Sequence, residues 1–183
     1  FAIRRQRQMC IRDSGKTTFL HLLSGLLKPL EGEIDLIGTP ISKLTMSEMD
    51  RFRGKNIGIV FQKPHFINSL TVKENLQLAQ YISKKIDKTR INSLLESLGI
   101  EDKANKKTLN LSQGEKQRVS IALAIVNSPK LILADEPTSS LDDLNCDKVI
   151  NLLKDQAAKY KAKLIIITHD YRLKKHFKNT LSL

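Results

Sequence analysis

The feature that most limits the fold is the run Leu131-Ile132-Leu133-Ala134, four apolar residues followed at once by two acids, Asp135 and Glu136. A short continuous apolar run bounded by polar residues is the profile of a strand buried on both faces of a parallel sheet. Leu164–Thr168 repeats that profile, and Asn56–Phe61, with Ile57, Ile59, Val60 and Phe61, is a third candidate. Parallel strands need helical crossovers, and the intervening segments supply them. Leu144–Lys159 reads as the crossover helix between the last two strands. Leu70–Tyr81 and Arg90–Leu98 have helical spacing, the second stopped by Gly99, and Ser112 opens a helix that runs to about Asn127 before Pro129. Near the start, Thr17–Leu27 reads as a helix closed by Pro29, and Glu33–Ile37 as a short strand ending at Gly38. The expected fold is α/β with a parallel sheet, and residues 64–118 are expected to form a mainly helical lobe.

Composition narrows the function classes. The chain has 183 residues, 40% hydrophobic and 27% charged, which is a globular balance of about one domain. Its longest uncharged stretches, Thr17–Leu27 and Val119–Pro129, fall well short of the roughly 20 apolar residues of a membrane span. Two cysteines, Cys10 and Cys146, make no disulfide framework and fit a reducing cytosol. The net charge is +12, but the lysines are scattered and aromatics make up only 5%, so no stacking platform for nucleic acid is expected.

Gly15-Lys16-Thr17-Thr18 ahead of a helix has the form of the second half of a phosphate-binding loop. Such a loop uses backbone N–H groups and a helix N-terminus around phosphate, a lysine on the β- and γ-oxygens, and a hydroxyl for Mg²⁺. The full pattern, G-x-x-x-x-G-K-[ST], calls for glycine at position 10, where this chain has Cys10. The residues before the loop include Arg4, Arg5 and Arg7, which a strand buried on both faces does not accommodate. Met9-Cys10-Ile11-Arg12-Asp13 also reads like the translation of a transposon-derived sequencing adaptor. Residues 1–13 are therefore expected to be largely non-native, with the first part of the fold missing; the alternative is a divergent loop.

Asp135 and Glu136 fall at the C-terminal tip of a buried strand, where α/β sheets bind ligands. There Asp135 can hold a Mg²⁺ shell and Glu136 can polarise a water attacking a γ-phosphate; two solvated acids capping a strand end are the alternative. Leu111-Ser112-Gln113-Gly114-Glu115 precedes a helix and fits a capping box, and the same serine hydroxyl and helix N-terminus can bind a phosphate. His169 and Gln62 each follow a strand at the equivalent edge; taken singly, each also reads as an incidental strand-end residue.

Taken together, Gly15-Lys16-Thr17, Gln62, Leu111–Glu115, Asp135-Glu136, Ser139-Ser140-Leu141-Asp142 and His169 appear in an order and spacing that resembles the ATP-binding cassette (ABC) family. The resemblance covers about residues 14–183. Phe52-Arg53, Ile57–Gln62 and Leu70–Leu76 look like the subgroup of lipoprotein-releasing, macrolide-efflux and cell-division ATPases. It implies a P-loop NTPase core of RecA type over residues 14–63 and 119–183, with an inserted helical subdomain over about 64–118. It further implies ATP and Mg²⁺ as ligands. Ser14, Gly15, Lys16, Thr17 and Thr18 would bind one nucleotide, with Thr17, Gln62 and Asp135 at the metal. Ser112, Gln113, Gly114 and Glu115 of a head-to-tail partner copy would reach the γ-phosphate in trans. Glu136 would be the catalytic base, His169 the switch histidine, Gln62 the loop that senses the membrane partner, and Asp142 part of the loop coupling the two sites.

Two positions depart from the family pattern within the signature: Gln113 stands where the family usually has glycine, and Glu115 where it usually has glutamine. Ser112 and Gly114 remain. The resemblance implies the ATP-hydrolysing subunit of a transporter that powers an inner-membrane permease of export or lipoprotein-release type. Its expected location is the cytoplasmic face of that membrane. The rival readings are a nucleotide-binding module with impaired turnover, and a non-transport ABC ATPase acting on nucleic acid, for which the positive charge is the only support.

Overall fold

The computed structural model describes residues 14–84, 86–139, 141–177 and 179. The expectation about residues 1–13 falls outside them. In chain order the elements are α1 (Ser14–Leu23), β1 (Asp35–Leu36), β2 (Thr39–Pro40), α2 (Met46–Asn56), β3 (Ile57–Val60), α3 (Val72–Ile82), α4 (Lys88–Ser97), α5 (Gln113–Ile125), β4 (Leu131–Asp135), α6 (Asp143–Lys159) and β5 (Lys163–Ile167).

β3, β4 and β5 form one parallel sheet in that order, with Ile57 beside Leu131 and Leu131 beside Lys163. Because Val60 pairs with Ala134, and Asp135 with Ile167, the C-terminal tips of the three strands are level. Side chains alternate across a strand, so β4 feeds two cores. Leu131 and Leu133 pack with Leu20 and Leu23 of α1 and Met49 of α2. Ile132 and Ala134 pack on the opposite face with Val119, Ile121, Ala122 and Ile125 of α5 and Ile150 and Leu153 of α6. All four apolar residues of β4 are buried, as the uninterrupted run predicts.

β5 differs from its expected profile. Lys163 is exposed and Leu164, Ile165 and Ile166 are only partly buried, because among the described residues β5 pairs on one side alone, with β4. The first helix also stops earlier than Leu27. Gly25 takes φ +66°, its N–H donates to Leu22, and the Leu26 N–H donates to His21 at 2.8 Å, a Schellman closure that ends α1 at Leu23. The strand expected over Glu33–Ile37 shrinks to two residues, because Ile37 (φ 59°) and Gly38 (φ 74°) turn the chain back into β2.

Among the described residues, capping boxes start three helices. Thr45 with Glu48 opens α2, Thr71 with Glu74 opens α3, and Ser112 with Glu115 opens α5. Each cap contributes about 1 kcal/mol. α2 had no counterpart in the sequence reading. α5 passes so close over β3 that a Cβ on Gly58 would overlap the Ala124 carbonyl oxygen. The expected helical segment, about 64–118, holds α3, α4 and the first turns of α5, which then continues onto the sheet.

Candidate active site

The level strand tips put four of the predicted residues at one edge. Asp135 ends β4 and Glu136 follows it; Gln62 stands just past β3, and His169 just past β5. Gly15, Lys16, Thr17 and Thr18 lie in the first turn of α1, which packs on the face of β4 and β5.

The Glu136 side chain is tightly held and only 12% exposed. Its Oε1 accepts the His169 backbone N–H at 2.9 Å and lies 2.7 Å from His169 Nδ1. Its Oε2 accepts the Thr168 hydroxyl at 2.9 Å. An ionised carboxylate only accepts, so Nδ1 carries the proton toward it. Each carboxylate oxygen has two lone pairs, so among the described donors Oε1 is filled and Oε2 keeps one acceptor position. The backbone of Glu136 sits at φ 45°, a left-handed conformation costing about 1–2 kcal/mol for a side-chain-bearing residue. The Glu136 N–H is anchored on the Ile167 carbonyl at 2.8 Å, so the ladder between β4 and β5 continues into the strained turn. Strain of this kind persists where surrounding bonds over-determine it.

Asp135 is an acid held against its preference. Burial first, and then the charge of Glu136, push its carboxyl above the ordinary aspartate range, while His21 pulls it slightly back. Gln62 reaches across the edge, its Nε2 donating to the Ser139 hydroxyl at 3.2 Å. Among the described residues no group of three or more His, Cys, Asp or Glu side chains forms a metal cage. The donors at this edge are oxygens: the Asp135 carboxylate and the Gln62 amide. They suit a hard divalent cation bound mainly through phosphate and water.

Ser112 and Glu115 bond to one another, and Glu115 also pairs with Lys103. The Ser112 backbone N–H donates to Glu115 Oε2 at 2.7 Å, and the Glu115 N–H to the Ser112 hydroxyl oxygen at 3.3 Å. Asp142 caps α6, accepting from the Asn145 backbone at 2.9 Å and from its amide at 2.8 Å.

A family model described as ABC transporter matches residues 13–139, more than half of the chain. The chain belongs to the ABC transporter family. Solved cassettes of that family resemble it closely. MJ0796, an ATP-binding cassette in a dimeric post-hydrolysis state bound to ADP and Pi, is 34% identical with a TM-score of 0.76, covering 85% of this chain and 70% of that one. A second dimeric structure of MJ0796, described as a bacterial ABC transporter cassette, is 33% identical at TM-score 0.78, covering 88% and 72%. CbiO1 from Clostridium perfringens, part of the transporter complex cbiONQ, is 32% identical at TM-score 0.76, covering 85% and 63%. The chain is thus an ABC ATPase cassette with a P-loop NTPase fold.

The candidate site includes residues that the sequence did not single out. Thr168 supplies the second arm on Glu136. Asp170 accepts the Thr138 hydroxyl at 3.1 Å and pairs with Arg172 at 2.7 Å, while Arg172 also reaches Asp143 at 2.6 Å and the Leu141 carbonyl at 3.2 Å. This network ties the segment after β5 to the loop that leads into α6. Gln117, buried in α5, donates to the Pro137 carbonyl at 3.2 Å and so links α5 to the residue after Glu136. The position of Thr168, one residue before His169, was its only sequence signal.

Proposed function

We propose that this cassette binds ATP with Mg²⁺, closes as a head-to-tail dimer around two nucleotides, and hydrolyses them to drive a membrane permease of export or lipoprotein-release type. The observation that carries the reading is Glu136, held by Thr168 and His169 with one acceptor position left on Oε2 among the described donors, beside the half-buried carboxylate of Asp135. That position accepts the proton of a water attacking the γ-phosphate, which is the work of a general base. His169 keeps the base oriented. Gly15, Lys16, Thr17 and Thr18, with Ser14, open α1 and present the helix N-terminus to the phosphates of the copy's own nucleotide.

Asp135, the Gln62 amide and the Thr17 hydroxyl would hold Mg²⁺, and the raised pKa of Asp135 fits a carboxylate whose charged form a cation stabilises. When bound, Mg²⁺ offsets the charge of the phosphate oxygens. Ser112 and Gly114 of the partner copy, at the N-terminus of its α5, take the γ-phosphate in trans, with Gln113 and Glu115 beside them. Asp142, at the start of α6, belongs to the loop that couples the two nucleotides. The RecA-type core spans 14–63 and 119–183, and the helical lobe of about 64–118 faces the permease. No helix among the described residues is long and apolar enough to cross a membrane, so association with the cytoplasmic face of the inner membrane runs through that partner.

Glu136→Gln tests the assignment. Phosphate release should fall about 10²–10⁴-fold while ATP stays bound and the ATP-dependent dimer lengthens its lifetime. Undiminished phosphate release would remove Glu136 from the base role. Lack of an ATP-dependent dimer, read by light scattering, would remove the sandwich.

A further inference from the structure

Glu115 is an anomaly for a phosphate site. It puts a carboxylate in the first turn of α5, hydrogen-bonded to Ser112, the residue expected to meet a polyanion. An unbalanced carboxylate there repels phosphate and competes for the Ser112 hydroxyl and N–H. The structure contains its counter-charge. Lys103, in the short turn Glu101–Lys103, places Nζ 3.3 Å from Glu115 Oε1 and 2.6 Å from Asp102. The lysine and Glu115 side chains are only 22% and 25% exposed, whereas Asp102 is 63% exposed. Glu48 and Glu74 complete the same local motif at α2 and α3, yet among the described residues neither has a lysine at ion-pair distance. The third capping box therefore carries an ion pair that capping itself does not require.

We propose that Lys103 is a positioning residue of the trans phosphate site: it draws Glu115 Oε1 aside and offsets part of its charge, so that Ser112 can receive the partner copy's γ-phosphate. The ionisation of both groups agrees. Hydrogen bonds from Ser112, and then Lys103, hold Glu115 below the ordinary glutamate range, and Asp102 and Glu115 hold Lys103 above the ordinary lysine range. The inference rests on the sandwich reading above. It adds that a glutamate is tolerated at the fifth signature position because of a cation twelve residues before it.

The test uses the full chain carrying Glu136→Gln, with the ATP concentration for half-maximal dimer read by light scattering. Lys103→Met should raise that concentration about three- to tenfold, the range in which close charge pairs act on binding. Lys103→Arg should leave it near the parent value, and Lys103→Met with Glu115→Gln should restore it. In the hydrolysing background the same lesion should appear in KM for ATP more than in kcat. An unchanged ATP requirement in Lys103→Met overturns the proposal. So does a loss that Glu115→Gln fails to rescue, because the lysine would then be acting through packing. If the Glu136→Gln parent forms no ATP-dependent dimer, the sandwich itself fails, an outcome separable from either of these.

Discussion

His169 holds Glu136 twice through a single oxygen: its backbone N–H donates to Oε1 at 2.9 Å, and its ring Nδ1 lies 2.7 Å from the same atom. The first contact belongs to the chain and survives any substitution other than proline. The second belongs to the imidazole. His169→Ala therefore separates orientation by the ring from orientation by the turn. Turnover should fall about 10²-fold, the lower end of what a positioned base contributes, with ATP affinity little changed. Steady-state phosphate release beside equilibrium nucleotide binding measures both. An equal loss in both would mean that His169 serves binding.

Thr168 provides the other arm, on Oε2. Its Oγ1 also accepts the Asp170 N–H at 2.9 Å, so the hydroxyl locks the start of the segment after β5. Thr168→Val keeps the shape and removes both bonds. The expected result is a roughly tenfold lower kcat with a nearly constant KM, since removing a supporting hydrogen bond near a site costs on that order. Thr168→Ser should recover most of the rate.

Much of this was legible in the sequence because it depends on local chemistry. Four apolar residues before Asp135 have the profile of a strand buried on both faces, and all four are buried in β4. Ser112 with Glu115 announced a capping box, and one forms. What the sequence hid depends on neighbours far along the chain. Leu164–Ile166 looks as buried as β4 by composition, yet its exposure is set by which strands pair beside it. The short β1–β2 turn rests on Ile37 adopting φ 59°, which no β-branched residue advertises. α2 is built from Met46-Ser47-Glu48-Met49-Asp50-Arg51, too polar for a clear apolar stripe, and only Met49 of it is buried. Thr168 and Lys103 are ordinary residues until the fold brings Glu136 and Glu115 to them.

Asp135 should be a stability liability in the absence of ligand. Its carboxyl is pushed up first by burial and then by Glu136. A group whose folded pKa is raised above its unfolded value destabilises the fold wherever it must be ionised in both states, and the penalty fades as pH falls through the folded value. Asp135→Asn removes that charge while keeping the shape. Without nucleotide, its Tm at pH 7 should lie about 2–4 °C above the parent, equivalent to about 1 kcal/mol for a chain of this size. The gain should shrink toward pH 4, and hydrolysis should be lost. A lower Tm at pH 7 would contradict the assigned cost.

Gly58 allows α5 to pass directly over β3. An added methyl would overlap the Ala124 carbonyl oxygen, a backbone atom that a side-chain rotation cannot move, and would also approach Pro129 Cγ at 3.1 Å. Gly58→Ala should cost roughly 1–3 kcal/mol by overpacking, seen as a lower denaturant midpoint with an unchanged slope. Gly54, which has nothing within 4 Å of its Cβ position, is the internal comparison, and Gly54→Ala should be far milder.

The Asp170–Arg172 pair predicts how the cassette fails in acid. The guanidinium of Arg172 first, and then the Thr138 hydroxyl and local backbone, hold the Asp170 carboxyl down at about 2. A carboxyl depressed in the folded state contributes stability that is complete above its unfolded pKa, about 3.9, and is lost as pH falls through the folded value. The relevant window is therefore about pH 4 down to pH 2. Arg172 is 36% exposed, so screening reduces the contribution to about 1 kcal/mol rather than the full linkage value. Asp170→Asn should accordingly be less stable than the parent at pH 7, and the two denaturation midpoints should converge as pH falls toward 2. Because Arg172 also binds Asp143 and the Leu141 carbonyl, the variant should loosen the loop after β4 as well as the turn after β5. Amide exchange at Ser139, Leu141 and Asp142 should then quicken along with that at Arg172. Parallel loss of midpoint at every pH would show that Asp170 acts through packing and not through its charge.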